Sequence, residues 1–92
     1  MKFVILGTVS AEGAGRSEDR GKRAAAKVKE LGITVESMHY TQGPVDFVEV
    51  VDAPSGEAML ALSLWYAKQG YGKLQSLPAY DRDAMARAES RA

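Results

Sequence analysis

His39, the single histidine of the chain, is the residue type best suited to acid–base chemistry. An imidazole exchanges protons near neutral pH when a carboxylate orients it. Asp46 and Glu49 follow on a predicted neighbouring strand, so either could face His39 across a hairpin. His39 and Asp46 are therefore the catalytic candidates. The alternatives are a hydrogen-bonded strand histidine near a rim, and an aspartate that stabilises a turn by bonding backbone N–H groups.

Aromatic residues supply the candidates for ligand binding. Tyr40 follows His39 directly, and Trp65, Tyr66 and Tyr71 cluster about the end of a predicted helix. Such rings can line a pocket, and His39, Tyr40, Trp65 and Tyr66 are the candidate ligand-binding residues. The alternative is packing in the core or in a dimer interface, which the surrounding leucines favour for the helical cluster.

Two further motifs resemble anion sites. The segment Gly13-Ala14-Gly15-Arg16 lies between a predicted strand and a predicted helix, where phosphate-binding loops occur. It completes neither the Gly-x-Gly-x-x-Gly motif nor the Gly-Lys-Ser/Thr motif, and it therefore predicts a flexible loop. A helical stripe contains Arg16, Arg20, Arg23 and Lys27. Nearby acids and a formal net charge of +0 favour a solvated helix face.

Composition restricts the class of protein. The 92 residues include no cysteine, which excludes disulfides and thiolate metal sites, and no other metal spacing or cofactor motif is present. Twelve basic and twelve acidic side chains balance each other. The chain therefore has no broad positive electrostatic field that would attract nucleic acid or an anionic membrane. No apolar run reaches the ~18 residues of a membrane span. We expect one cytoplasmic domain over residues 1–92 with no cofactor, no metal, no nucleic-acid partner and no membrane partner.

The order of predicted elements indicates the fold. The elements are a strand at Phe3–Val9, a helix from its cap Ser17 to Gly32, strands at Ile33–Tyr40 and Val45–Val51, a helix capped by Asp52 or Ser55 and ended by Gly70, a strand at Lys73–Tyr80 and a helix at Asp81–Arg91. Right-handed crossovers on this order predict an α+β, ferredoxin-like βαββαβ fold. It has a four-stranded antiparallel sheet, two helices on one face and a short C-terminal helix.

Two strands, Phe3–Val9 and Val45–Val51, are apolar on both alternating sets of residues. Helices cover only one face of the predicted sheet, so the other face needs a cover. A second copy stacked sheet on sheet is the simplest one. The sequence therefore predicts a homodimer or higher oligomer with a dimeric α/β-barrel architecture.

Two blocks carry a resemblance to a known family. Tyr40-Thr41-Gln42-Gly43-Pro44-Val45-Asp46, followed by an apolar strand and Ala53-Pro54, resembles the Thr-x-Gly-x-Tyr-Asp hairpin of the GYD-domain family. Gly72–Tyr80 is similar to that family's closing strand. Val45 stands where the family typically has its tyrosine. The resemblance implies a ferredoxin-like fold of the dimeric α/β-barrel kind and no established activity.

Three functions fit these observations. The first is a homo-oligomeric module that binds or senses a small molecule in a cavity between stacked sheets. The second is a cofactor-independent enzyme, monooxygenase- or isomerase-like, that uses the same cavity with His39 as base and Tyr40 or Asp46 assisting. The third is a structural or partner-binding protein. The sequence shows no second titratable group clearly paired with His39, which favours the first.

Overall fold

The computed structural model describes residues 1–92 as four strands and three helices. The elements are β1 (Lys2–Val9), α1 (Ser17–Glu30), β2 (Thr34–Tyr40), β3 (Phe47–Asp52), α2 (Gly56–Lys68), β4 (Gly72–Pro78) and α3 (Arg82–Arg91). This is the predicted βαββαβ order followed by a C-terminal helix. The α+β, ferredoxin-like prediction is confirmed.

The four strands form one open antiparallel sheet in the order β2-β3-β1-β4. The two strands predicted to be apolar on both faces, β1 and β3, lie in the centre. The strand that contains Pro78 is an edge strand, where a missing N–H removes no ladder bond on the outer side. The position of each strand therefore follows from its residues.

Cross-strand register assigns each side chain to one of two faces, because directly opposed residues share a face. Phe3 and Ile5 of β1 are buried under the helices. Their β3 partners Val51 and Glu49 therefore belong to this helix-covered face. We call the opposite side the open face. It carries the apolar residues Val4, Leu6, Val48, Val50 and Leu77.

The hydrophobic core lies between the sheet and the helices. Its ten buried residues are Phe3, Ile5, Ile33, Phe47, Val51, Ala53, Met59, Leu62, Tyr66 and Tyr71. Helix α2 supplies three of them and packs against β4, whereas α1 supplies none of the ten. The core is consequently centred on α2, and α1 covers its part of the sheet more loosely.

The helix ends agree with the sequence in all but one case. Ser55 caps α2 and Asp81 caps α3, each accepting a hydrogen bond from the backbone N–H three residues later, at 3.2 Å and 2.8 Å. Ser17 was expected to cap α1, and that prediction is wrong. The N-cap is Arg16, it makes no side-chain cap bond, and Ser17 is the first helical residue.

A β-bulge interrupts β2 between Val35 and Ser37. Val35 pairs with Val51 on the helix-covered face, whereas Ser37 pairs with Val50 on the open face. A bulge adds one residue to a strand and so reverses the alternation that follows it. The side chains from Ser37 onward consequently point to the opposite faces from those that uninterrupted alternation gives.

Several large apolar side chains remain uncovered within the chain. On α2, Leu60 and Leu64 are 60% and 58% exposed, one turn apart. Helix α3 packs against no other helix or strand, and its Met85 is 60% exposed. These residues of α2 and α3 form apolar surface that the chain itself does not cover.

Candidate functional site

A cavity of about 400 Å³ lies between α1 and the helix-covered face of the sheet. It is lined by Arg20, Gly21, Ala24, Ala25, Val28, Val35, Met38, Tyr40, Phe47, Glu49, Leu62, Tyr66 and Leu74. These residues come from α1, all but one of the strands, and α2. The volume falls in the range of small-molecule sites, roughly 300–1,000 Å³. The sequence had placed a cavity between stacked sheets, whereas this one lies on the other side of the sheet within a single chain.

Small side chains on α1 create the cavity. Gly21, Ala24 and Ala25 line the cavity at positions where a globular helix would ordinarily present larger apolar residues. A methyl group added at Gly21 would meet no atom within 4 Å. The space between helix and sheet is therefore left open by missing side-chain volume.

The cavity opens at the edge of the sheet. Three of its lining residues lie on the edge strand β2, and Val35, Met38 and Tyr40 are 40%, 41% and 66% exposed. Residues on the inner wall, such as Phe47 and Tyr66, are buried. A molecule would enter between α1 and β2, passing apolar surface on its way to the interior.

The inner wall contains a glycine–aromatic contact. Gly7 of β1 pairs with Phe47 of β3, and the Phe47 ring occupies the place that a Cβ at position 7 would take. Phe47 also meets Tyr66 edge to face, with ring centroids 6.2 Å apart. Gly7 thus lets the phenyl ring lie flat against the sheet.

The hydroxyl of Tyr66 marks the polar part of the cavity. It donates a hydrogen bond to the carbonyl oxygen of Thr8 at 3.2 Å. Burial raises the pKa of Tyr66, the positive charge of Arg20 acts to lower it, and Asp46, Glu49 and Tyr40 act to raise it. Arg20, Tyr40 and Glu49 line the same cavity as Tyr66.

Glu49 is the carboxylate in the wall of the cavity. It is half-buried in the centre of the sheet, opposite Ile5 on one side and Met38 on the other. Burial raises the pKa of Glu49, and no hydrogen bond to its carboxylate offsets that effect. The three ion pairs of the chain all lie elsewhere. Glu49 therefore presents unused hydrogen-bond acceptors to a mostly apolar space.

Arg20 is the cation in the wall. It is 8% exposed, and its Nη1 donates a hydrogen bond of 2.8 Å to the carbonyl oxygen of Gly13. No carboxylate lies within ion-pair distance of it, so Arg20 and Glu49 line the same cavity without pairing with each other. The cavity thus contains two opposite charges that remain separate.

The structure places His39 away from this cavity. His39 pairs with Val48, whose other neighbour is Leu6, and this assigns it to the open face, where it is exposed. Uninterrupted alternation would put His39 on the same face as Val35, but the β2 bulge places the two residues on opposite faces. Glu49 lies on the opposite face, so it does not pair with His39.

Asp46 has a backbone role. Its carboxylate accepts a hydrogen bond of 2.6 Å from the backbone N–H of Val9, and its own N–H donates to the carbonyl of Gly7. No hydrogen bond joins it to His39. Asp46 therefore ties the start of β3 to the end of β1, which is the turn-stabilising alternative given above.

The aromatic candidates divide into two groups. Tyr40 and Tyr66 line the cavity, one at its mouth and the other on its inner wall. Trp65 is half-buried outside the cavity, where its ring meets Tyr71 edge to face at 5.9 Å between centroids. Trp65 packs against the core, as the packing alternative expected.

The arginine stripe is not a solvated face along its whole length. Arg20 is buried, Arg23 donates to the Tyr71 hydroxyl at 3.1 Å, and Arg16 lies over the Tyr71 ring at 5.1 Å. These contacts attach the start of α1 to Tyr71 and to the loop that contains Gly13. The expectation of a solvated stripe is therefore wrong for Arg20, whereas Arg16 and Arg23 are exposed.

The sequence pattern did not single out Glu49 and Arg20 as a pair. Glu49 was considered as a partner of His39 and Arg20 as one member of a basic stripe. A signal was present in the sequence, since Glu49 is the one charged residue of β3 before its last residue, Asp52. No cluster of three or more residues that could bind a metal occurs in the fold. No helix has both the length and the apolar character needed to cross a membrane.

The fold and the cavity define a small ferredoxin-like α+β domain with an apolar pocket beneath its first helix. The model of the GYD domain family matches residues 3–88, nearly the whole chain. The protein therefore belongs to the GYD-domain family, as the hairpin and closing-strand motifs predicted. No curated protein and no solved structure matched the chain.

Proposed function

We propose that this protein is a homo-oligomeric module that binds a small apolar molecule in the cavity between α1 and the sheet. The observation that carries the proposal is the cavity itself, about 400 Å³ in volume and lined by 13 residues of which 10 are hydrophobic. Apolar walls with a few convergent polar groups are typical of small-molecule sites. Here the polar groups are Arg20, Glu49 and the Tyr66 hydroxyl.

The open face supports the oligomeric part of the proposal. Val4, Leu6, Val48 and Val50 lie in its centre and are only partly buried. Leu77 on β4 extends this apolar surface and is 44% exposed. Covering large apolar side chains is worth about 1.5–3 kcal/mol each when burial is complete, so a second sheet stacked on this face would be favourable.

The enzymatic alternative has less support. It relied on His39 as a base with Asp46 assisting, and no hydrogen bond joins the two because Asp46 is bonded to Val9. His39 also lies across the sheet from the cavity described above. Binding without chemistry is therefore the function that the arrangement favours.

A cavity-filling substitution tests the binding proposal. N-phenyl-1-naphthylamine, a neutral apolar probe that fluoresces in apolar surroundings, should bind the purified protein. Ala24→Phe places a ring in the cavity, because Ala24 lines it, and should lower probe affinity about tenfold or more. Ala26→Phe is the matched control, since Ala26 is exposed on the same helix and does not line the cavity.

Three outcomes decide the proposal. Loss of probe binding in Ala24→Phe, with wild-type binding in Ala26→Phe and in His39→Ala, would support it. Equal binding by all variants would overturn the cavity as the site. A loss in His39→Ala alone would instead direct attention to the open face. Circular dichroism of each variant establishes that the fold is retained.

A further inference from the structure

Two opposite charges line the cavity, the guanidinium of Arg20 and the carboxylate of Glu49. They do not form an ion pair with each other. The interior of this cavity is mostly apolar, so an uncompensated charge there is costly.

The protein already satisfies one of these two groups. Arg20 donates to the carbonyl oxygen of Gly13 at 2.8 Å. Glu49 receives no hydrogen bond and belongs to no ion pair. Glu49 is therefore the charged group of the cavity wall that has no partner within the chain.

Accessibility also distinguishes Glu49 from Arg20. Arg20 is 8% exposed, which leaves little of its surface for contact with a ligand. Glu49 is only half-buried and lies in the cavity wall between Met38 and Ile5 of the neighbouring strands. A molecule in the cavity would consequently meet the carboxylate more readily than the guanidinium.

We infer that the cavity selects an apolar molecule with one positive charge, such as a protonated primary amine, and that its ammonium group pairs with the Glu49 carboxylate. The inference rests on the proposed function and names the chemical class of its ligand. The apolar part of the molecule lies against Phe47, Leu62 and Val28. The ammonium supplies the hydrogen-bond donors that the Glu49 carboxylate lacks within the chain.

Three probes of nearly equal shape test this charge preference. Tryptamine is a cation, 3-propylindole is neutral and indole-3-propionate is an anion, and all three carry the same indole ring. Isothermal titration calorimetry at pH 7 should show tryptamine binding at least about tenfold more tightly than 3-propylindole, because a charged hydrogen bond of this kind contributes that much affinity. Indole-3-propionate should bind most weakly.

Glu49→Gln keeps the shape of the side chain and removes its charge. Tryptamine affinity in this variant should fall to that of 3-propylindole, and the affinity for 3-propylindole should not change. Glu57→Gln is the matched control, since Glu57 is exposed in the first turn of α2 and loses the same charge outside the cavity. It should bind all three probes as the wild type does.

The possible failures differ from one another. If none of the three probes binds, the cavity is not a binding site, and the proposed function and this inference fall together. If 3-propylindole binds and tryptamine binds no more tightly, the site stands and the charge preference is overturned. An equal effect of Glu57→Gln and Glu49→Gln on tryptamine would overturn it as well, because the attraction would then come from net charge.

Discussion

The phenyl ring of Phe47 lies where a side chain at position 7 would be, so Gly7 makes room for a ring that lines the cavity. The contact joins the two central strands, and Phe47 connects it to Tyr66 of α2. A small change at position 7 is therefore transmitted to both the core and the cavity.

Gly7→Ala should destabilise the protein by about 1–3 kcal/mol, because the new methyl group displaces a buried ring from a filled space. Urea unfolding followed by tryptophan fluorescence measures the change. Gly21→Ala is the control with the opposite sign. Its methyl group meets no atom within 4 Å, and replacing a helical glycine should raise stability by about 0.5–1 kcal/mol. Equal effects from the two substitutions would contradict the packing described here.

Trp65→Ala should lower stability without abolishing binding in the cavity. The indole packs edge to face on Tyr71 and is half-buried, so its removal should cost about 2–3 kcal/mol, less than the ~3–5 kcal/mol of a fully buried aromatic residue. Thermal unfolding measures the loss. N-phenyl-1-naphthylamine should bind the folded variant as it binds the wild type, and a selective loss of binding would show that Trp65 belongs to the site.

Glu49→Gln should make the dependence of stability on pH weaker. Burial raises the pKa of Glu49 in the folded state above its ordinary value of 4.5, so the folded state binds the proton more tightly than the unfolded chain does. The contribution of Glu49 to the free energy of unfolding is therefore fully present below pH 4.5. It is lost as the pH rises through the raised pKa of the folded state.

The melting temperature of Glu49→Gln should therefore exceed that of the wild type at pH 7, and the difference should shrink as pH approaches 4.5. Differential scanning calorimetry across this pH range measures both curves. Glu57→Gln, which changes an exposed carboxylate, should show no such convergence. A constant difference between Glu49→Gln and the wild type at all pH values would contradict the expected role of Glu49 burial.

Val50→Lys should dissociate the proposed oligomer. Val50 lies on the open face between Val4 of β1 and Ser37 of β2, so a lysine there would bring a charge into a stacked sheet interface. Sedimentation velocity at micromolar concentration should show an oligomer for the wild type and a monomer for this variant.

Leu60→Lys provides the comparison for that experiment. Leu60 is 60% exposed on α2, away from the open face, and its substitution should leave the oligomer intact. If Leu60→Lys dissociates the oligomer and Val50→Lys does not, the copies associate through α2. A monomeric wild type would overturn self-association altogether.

Much of the architecture could be predicted because local chemistry determines it. β1 is apolar on both of its faces, which requires a central position, and Pro78 restricts β4 to an edge. Ser55 and Asp81 begin helices because their side chains accept the free N–H groups of the first turn. Gly32 follows α1 with a φ of 74°, a conformation that favours glycine.

The pairing between strands, and not local chemistry, decides on which face of the sheet a strand residue lies. His39 and Val35 lie on opposite faces because a single extra residue in β2 reverses the alternation. Alternation read along one strand does not show where its partner will accommodate a bulge. The position of Glu49 opposite Ile5, beneath α1, likewise follows from pairing with a distant strand.

The candidate site depends on the tertiary structure in the same way. The sequence by itself determined the elements, their order, the family motifs and the small residues of α1. Only the packing decided that α1 covers its part of the sheet loosely, that Arg20 is buried against Gly13, and that Glu49 remains unpaired in the resulting space. A cavity is volume that no side chain fills, and it arises where residues far apart in the chain fail to meet.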